Sequence, residues 1–461
     1  VSVDTSGVGL VRFSVDAAAA GAAIANSGAV TADGGQVAVL ASAMGDALST
    51  VINQSGVIRA NTVVERNGRI VLSGGEAGVV NVSGRLDAVG TSAGQTGGTV
   101  KVLGDKVALT ESAVIDASGQ AGGGTVLVGG NYQGQGPEQN AGATYVGGDV
   151  RIAADALQNG RGGTVVVWSD DVTRFEGSIT ARGGSQGGDG GLVETSGKEF
   201  LHAAGNVDAS AAQGVGGVWL LDPRNVSIQG SVSKKGKFVA NVFTPSGDDA
   251  VASRKHIQDA LNKGTNIKVT TGTTGTQAGD ITIVDSITKS AGAAASLTLE
   301  AAGSIFINNA VSSTSNALNV NLDATLATSF NTAGSLGTNG GNVSVTGTGT
   351  KSLGNINTTG ASGPGNLTVG SGGEIIQLGS TTLAIKGGMT LAAGAANVTL
   401  NNAGNDFTGP VSVTSAGNVS LRDANALVLG ASTVSGSLTA VAGGALTQSG
   451  AITTPTLVAK T

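Results

Sequence analysis

The chain contains no cysteine, and its 461 residues include only six prolines, two histidines and 3% aromatic side chains. Without cysteine there is neither a disulfide scaffold nor thiolate chemistry, which fits a reducing compartment or an exported bacterial protein that avoids thiols in transit. The two histidines, His202 and His256, have no third ligand type gathered near them in the sequence, so neither a zinc site nor a Ser/His/Asp triad is supported. Charged residues are 12% of the chain and the formal net charge is −6, so no surface for nucleic acid is implied. The one basic run, Lys234-Lys235-Gly236-Lys237, reads as a solvated turn. The longest apolar stretch, Ala17 to Ala25, is too short to span a bilayer and is interrupted by Gly21. No Met starts the chain and no signal-peptide pattern follows Val1, so an internal or processed fragment is expected.

Glycine and small aliphatic residues are abundant: 78 residues are Gly and 40% are hydrophobic. Neither a Gly-X-Y triplet nor proline enrichment accompanies the glycine, which excludes a collagen-like chain. Glycine instead opens a repeated phrase, one variable residue followed by an aliphatic strand. It starts at Gly35, Gly68, Gly98, Gly124, Gly163, Gly191 and Gly217, in steps of 33, 30, 26, 39, 28 and 26 residues. A second phrase ends on Ala32, Ala60, Ala88, Ala117, Ala181 and Ala209, in steps of 28, 28, 29, 64 and 28. The long steps bracket 129–148, which is expected to be a loop inserted into a regular coil. Trp168 and Trp219 are expected in equivalent strand regions, as coil-packing residues.

From residue 281 the repeat tightens. Strand centres fall at Leu297, Val320, Val343, Leu367, Met389 and Val411, in steps of 23, 23, 24, 22 and 22. Companion strands follow as Ile305 after Leu297, Ile376 after Leu367, Val398 after Met389, Val419 after Val411 and Leu446 after Leu438. Within each strand apolar residues alternate with Ser, Thr or Asn, which places them on opposite faces. Three short strands per repeat of near-constant length predict an all-β parallel β-helix, a solenoid of about 22–30 residues per coil. Three segments are expected: a β-helix over 1–230, an irregular junction over 231–280, and a β-helix over 281–461. One short helix is predicted near 253–264, with Ser253 as N-cap and Gly264 as stop.

Little catalytic chemistry is visible. Asp170-Asp171 and Asp189 are the acids to consider for polysaccharide cleavage, which needs two carboxyls facing across a cleft; solvated turns are the plainer account, and Asp248-Asp249 also reads as a turn. Gly187-Gly188-Asp189-Gly190-Gly191 is too isolated for a stacked calcium motif. No catalytic residue, metal ligand or cofactor is assigned. Tyr132, Gln133, Gln135 and Tyr145 are the candidate ligand contacts, on or beside the inserted loop, where the tyrosines could stack on sugar rings or anchor the loop.

Several phrases carry a resemblance. They are Gly124-Thr125-Val126-Leu127-Val128-Gly129-Gly130-Asn131-Tyr132-Gln133-Gly134, Thr164-Val165-Val166-Val167-Trp168-Ser169-Asp170, and Gly183-Gly184-Ser185-Gln186-Gly187-Gly188-Asp189-Gly190-Gly191. The most diagnostic is Trp219-Leu220-Leu221-Asp222-Pro223-Arg224-Asn225-Val226-Ser227-Ile228; Asn405-Asp406-Phe407-Thr408-Gly409 and Asn418-Val419-Ser420-Leu421-Arg422-Asp423-Ala424 add to it. The chain resembles the filamentous-haemagglutinin-like exoproteins of bacterial two-partner secretion. The resemblance implies a right-handed parallel β-helix, an outer-membrane two-partner-secretion transporter as partner, and a location that is secreted or at the bacterial cell surface. The family's N-terminal secretion domain is not evident, nor is a toxin-like C-terminal domain, so the fragment is expected to be shaft. An adhesive shaft contacting extracellular polysaccharide, a surface glycan or a protein is the leading expectation, with self-association as a further property. A polysaccharide-degrading β-helix enzyme, and a passive stalk for a distal toxin or haem-acquisition module, are the alternatives.

Overall fold

The computed structural model describes residues 2–4, 10–14, 24–41, 50–63, 67–230, 236–239, 242–245, 250–271 and 277–461. Lys234, Lys235, Asp248, Asp249 and most of the apolar run 17–25 lie outside the described residues. The fold is an all-β parallel solenoid. Among the described residues one α-helix, Arg254–Asn262, interrupts it. Among the described residues strand pairing is parallel except in two hairpins, Ser2–Asp4 with Leu10–Ser14 and Gly236–Val239 with Val242–Pro245, and an isolated antiparallel bridge joins Gly184 and Gly187. The chain forms two compact units, one of Val1–Pro223, Ser231–His256 and Lys263–Asn266, the other of Arg224–Gly230, Ile257–Asn262 and Ile267–Thr461.

In the first unit a regular coil lays one strand on each of three faces. Thr99–Leu103, Lys106–Leu109 and Val114–Asp116 make one coil, and Thr164–Ser169, Val172–Phe175 and Ser178–Thr180 make another. On the first face the Gly-led phrases stack in register, so that Ile70, Val100, Val126, Val165, Val193 and Trp219 form one inward column. All six side chains are fully buried. Stacking removes each coil's apolar side from water, which no single coil achieves alone.

The glycines themselves are fixed by the stacking distance. A Cβ on Gly98, Gly124, Gly163, Gly191 or Gly217 would lie 2.1–2.2 Å from the carbonyl oxygen of the corresponding glycine one coil earlier. The repeated alanine supplies the partner of the same corner. The amides of Gly98, Gly124, Gly163 and Gly191 donate to the carbonyls of Ala88, Ala117, Ala154 and Ala181, each at 2.7 Å. Ala154 is the member absent from the sequence series, where the step from Ala117 to Ala181 was 64 residues. The insertion is correspondingly shorter than 129–148: Ala143–Val146 is a regular second-face strand, paired with Lys106–Leu109 and Val172–Phe175. The excursion is 129–142.

The segment 231–280, expected to be irregular, holds ordered elements. Ala250–Ser253 pairs with Phe200–Ala203, within the first unit. The helix begins after Ser253 and is followed by Gly264 at φ +86°, the left-handed conformation of a C-terminal stop. It buries Ile257, Ala260 and Leu261. Within the second unit Gln258 Oε1 accepts the Thr288 amide at 3.1 Å, and Asn262 Oδ1 accepts those of Ser290 and Ala291 at 2.7 and 3.1 Å. The helix thus offers side-chain carbonyls where a strand would offer backbone ones.

In the second unit Leu297, Val320, Val343, Leu367, Met389 and Val411 stand in one inward column, register partners throughout. Its corners use asparagine instead of paired glycine. Asn319 Oδ1 accepts the Asn342 amide, Asn342 Oδ1 accepts that of Asn366, and Asn366 Oδ1 accepts that of Gly388, at 2.9, 2.9 and 2.8 Å. Two expected companions differ. Ile375, not Ile376, is the buried partner of Val398, because the strand enters one residue earlier. Leu446 pairs with Leu427 on the first face, while Leu438 pairs with Val419 on the second, so they belong to different ladders. No third-face strand lies between Val419–Asp423 and Leu427–Val434, and the coil shortens there to two strands.

Candidate functional site

Outward side chains of a β-helix face water unless something is laid over them. On the first unit's first face the outward column is Val71, Lys101, Leu127, Val166, Glu194 and Leu220. Leu127 and Val166 nevertheless join Trp168 in an apolar cluster, exposed by 4%, 0% and 4%. The excursion 129–142 covers them. Its 3-10 turn, Tyr132–Gly134, is capped by the Asn131 side chain, which accepts the Tyr132 amide at 2.7 Å. Gly130 and Gly134 lie against the Trp168 indole so closely that a Cβ on either would meet ring atoms at 2.6–2.7 Å. Below the turn the indole Nε1 donates to Asp170 Oδ1 at 3.1 Å, and Asn140 Nδ2 donates to the same oxygen at 3.1 Å.

Two carboxylates tie the loop down, in different electrostatic states. Glu138, on the loop, pairs with Lys101 and accepts from Asn131 Nδ2. The Lys101 hydrogen bond holds its carboxyl below the usual range. Glu194, on the sheet, is fully buried and accepts the Gln133 amide at 3.0 and 3.2 Å on its two oxygens. Burial pushes the Glu194 carboxyl up to about 8; the charge of Asp222 adds to this, while the Gln133 amide and the Ser196 hydroxyl oppose it. Gln133 Nε2 reaches Asp222 Oδ2 at 3.4 Å, and Ser196 Oγ accepts the Asp222 amide at 3.1 Å. Gln133 therefore links both acids, and it adopts φ 53° to do so.

A second outward cluster lies on the second face. Tyr145, Arg174 and His202 are register neighbours there. The Arg174 guanidinium lies 5.9 Å from the Tyr145 ring centroid and pairs with Glu176, whose carboxylate is 3.8 Å from His202 Nε2. Burial, then the charge of Glu176, raises the Tyr145 hydroxyl above its ordinary range. The hairpin strand Val242–Pro245 packs over this face, which also carries a concavity lined by Val79, Lys106, Ala143, Tyr145 and Val172.

The four candidate ligand contacts are thus divided. Tyr132 and Gln135 are exposed on the loop, Gln133 is its fastening to Glu194 and Asp222, and Tyr145 belongs to a strand of another face. Trp168 and Trp219 both lie in first-face strands, as expected, but on opposite sides of them. Trp219 aligns with Val193 inside the coil and donates to Thr195 Oγ1 at 3.0 Å, whereas Trp168 aligns with Ser196 on the outside. Asp170 and Asp189 serve separate corners, Asp170 receiving the indole and Asp189 accepting the Val215 amide at 2.8 Å. Among the described residues no group of three or more His, Cys, Asp or Glu is placed to hold a metal ion. Sequence reasoning missed Glu194, although Val165-Val166-Val167-Trp168, an unbroken apolar run, already signals a strand covered on both sides.

The second unit carries a plainer exterior. Thr298, Asn321, Ser344, Thr368, Thr390 and Ser412 align outward, one hydroxyl or amide per coil. Successive members are one strand spacing apart, about 4.8 Å.

A family model described as repeats of unknown function (DUF5649) matches residues 340–414 and 416–459. Both matches lie in the second unit. No curated protein matches the chain.

Proposed function

We propose that this chain is the structural and adhesive shaft of a secreted bacterial surface protein, contacting an extended polysaccharide or surface glycan. The polar ribbon from Thr298 to Ser412 carries the reading. A repeated, uncharged array of donors and acceptors gains by summing weak contacts along an equally repetitive ligand. Resemblance to the filamentous-haemagglutinin-like exoproteins supports export through an outer-membrane two-partner-secretion transporter and display at, or release from, the cell surface. The repeats matched in 340–459 agree with a scaffold built by coil multiplication.

The test is retention of the purified chain on immobilised neutral and acidic polysaccharides and on bacterial cells. A Thr368→Lys/Thr390→Lys variant, which places two long charged side chains in the ribbon, is expected to lose most of that retention while keeping its β-sheet circular dichroism. If parent and variant are retained equally, or cells with and without the chain attach equally, the reading fails.

A further inference from the structure

We propose that the excursion 129–142 is a pH-operated cover, closed while Glu194 holds its proton and released when that carboxyl ionises, so that the outward apolar surface of Leu127, Val166 and Trp168 opens at alkaline pH. The cover operates whether or not the polar ribbon of the second unit binds a glycan.

The geometry around Glu194 carries the inference. Its column neighbours are Val166 on one side and Leu220 on the other, both apolar and buried. From its own strand comes the Ser196 hydroxyl, and from the loop above comes the Gln133 amide. The strand Val218–Leu221 leads into Asp222, a second carboxylate that shares Gln133 with Glu194. Asp170 is engaged elsewhere, by the Trp168 indole and Asn140. The cation of this outward column, Lys101, is separated from Glu194 by Leu127 and Val166 and is paired with Glu138. Lys198, four residues along, is exposed beyond the strand end. A carboxyl with apolar flanks, an acidic neighbour and no cation in hydrogen-bond reach among the described residues is stable there only when protonated.

Ionisation can be relieved locally, because the cover is an add-on. The strands on either side of it, Thr125–Val128 and Ala143–Val146, are held by their own ladders. Lifting 130–140 hydrates Glu194 without breaking a rung. A hydrated carboxyl titrates near pH 4.3. With the covered group titrating at about 8, opening becomes roughly a hundredfold or more favourable between pH 5 and pH 9. The sign follows from proton count: the covered state binds the extra proton, so raising pH favours the open state.

Hydrogen exchange of the intact chain, read by mass spectrometry and corrected for the intrinsic rate at each pH, tests this. Protection of the amides over 130–136, that of Gln133 included, is expected to fall roughly a hundredfold between pH 5 and pH 9, while amides of the strand Leu318–Ala324 stay protected. Glu194→Gln keeps an acceptor for the Gln133 amide and cannot ionise, so its protection is expected to be flat. Constant protection in the parent, or an unchanged fall in Glu194→Gln, overturns the proposal. Should Glu194→Gln not fold, Asp222→Asn decides: removing the neighbouring charge moves the fall to lower pH if Glu194 operates the cover, and an unshifted fall overturns it.

Discussion

At Gly191 an added methyl would sit 2.1 Å from the carbonyl oxygen of Gly163, whereas at Gly148 it would meet nothing within 4 Å. Gly191→Ala is therefore expected to cost more than about 2 kcal/mol, by forcing two coils apart, and Gly148→Ala to lie within about 1 kcal/mol of the parent. Thermal melts of the two variants check this. A different residue-scale effect sits in the second unit. Lys351 is fully buried in an inward column between Thr328 and Ile375, with Nζ donating to the Ala324 carbonyl at 3.2 Å. Burial lowers its amine below the ordinary value of 10.5, and the charge of Asp323 only partly opposes this. The unfolded chain therefore binds the proton more tightly, and stability rises with pH from the lowered value up to 10.5. Lys351→Met is expected to be more stable than the parent at pH 7 and to gain less between pH 8 and pH 10. Urea titrations at both ends of that window measure the difference.

At the scale of elements, the sequence and the structure agree where alternation survives and part where something is laid over it. Leu297, Val320, Val343, Leu367, Met389 and Val411 were legible as one column because every strand between them keeps period two and every coil nearly the same length. Ala154 was lost because the excursion lengthened its coil and moved it off the expected spacing. The two tryptophans share a face but not a side: Trp168 lies five residues after its leading glycine and Trp219 only two after its own, an odd difference that turns one outward. Glu194 could not be found as a site, since its fastening comes from Gln133, 61 residues earlier. Asparagine's corner role was equally hidden: Asn342 looks like any exposed polar residue until the next coil's amide arrives at it. The helix cap gives the prediction at this scale. Asn262→Ala removes the acceptor of the two amides that follow the strand Ile287–Lys289, those of Ser290 and Ala291, and is expected to destabilise the second unit by about 1 kcal/mol. Exchange of Ser290 and Ala291 should accelerate in step with the shift in urea midpoint.

At the scale of the molecule, each unit is held by contacts between coils adjacent along its own stack, so its stability is a sum of repeated interfaces rather than the property of one centre. Removing 343–366, one whole turn of the second unit, would set Leu367 on Val320 and leave Asn342 to accept the Gly388 amide. That shortened chain is expected to fold, with unchanged circular dichroism per residue. Removing only 343–354 brings Asn355–Asn357, a third-face strand, into a first-face position and is expected to give an insoluble product. Expression of the two chains side by side checks the difference. The excursion 129–142 shows the same tolerance in the other direction. It leaves after Val128, the end of a first-face strand, and returns at Ala143, the start of a second-face one, yet the rungs before and after it pair without slippage. That corner is consequently a port for grafted sequence: a foreign peptide whose ends meet the same two anchors can be displayed there, provided it brings an amide donor for Glu194 or comes with an apolar residue in that acid's place.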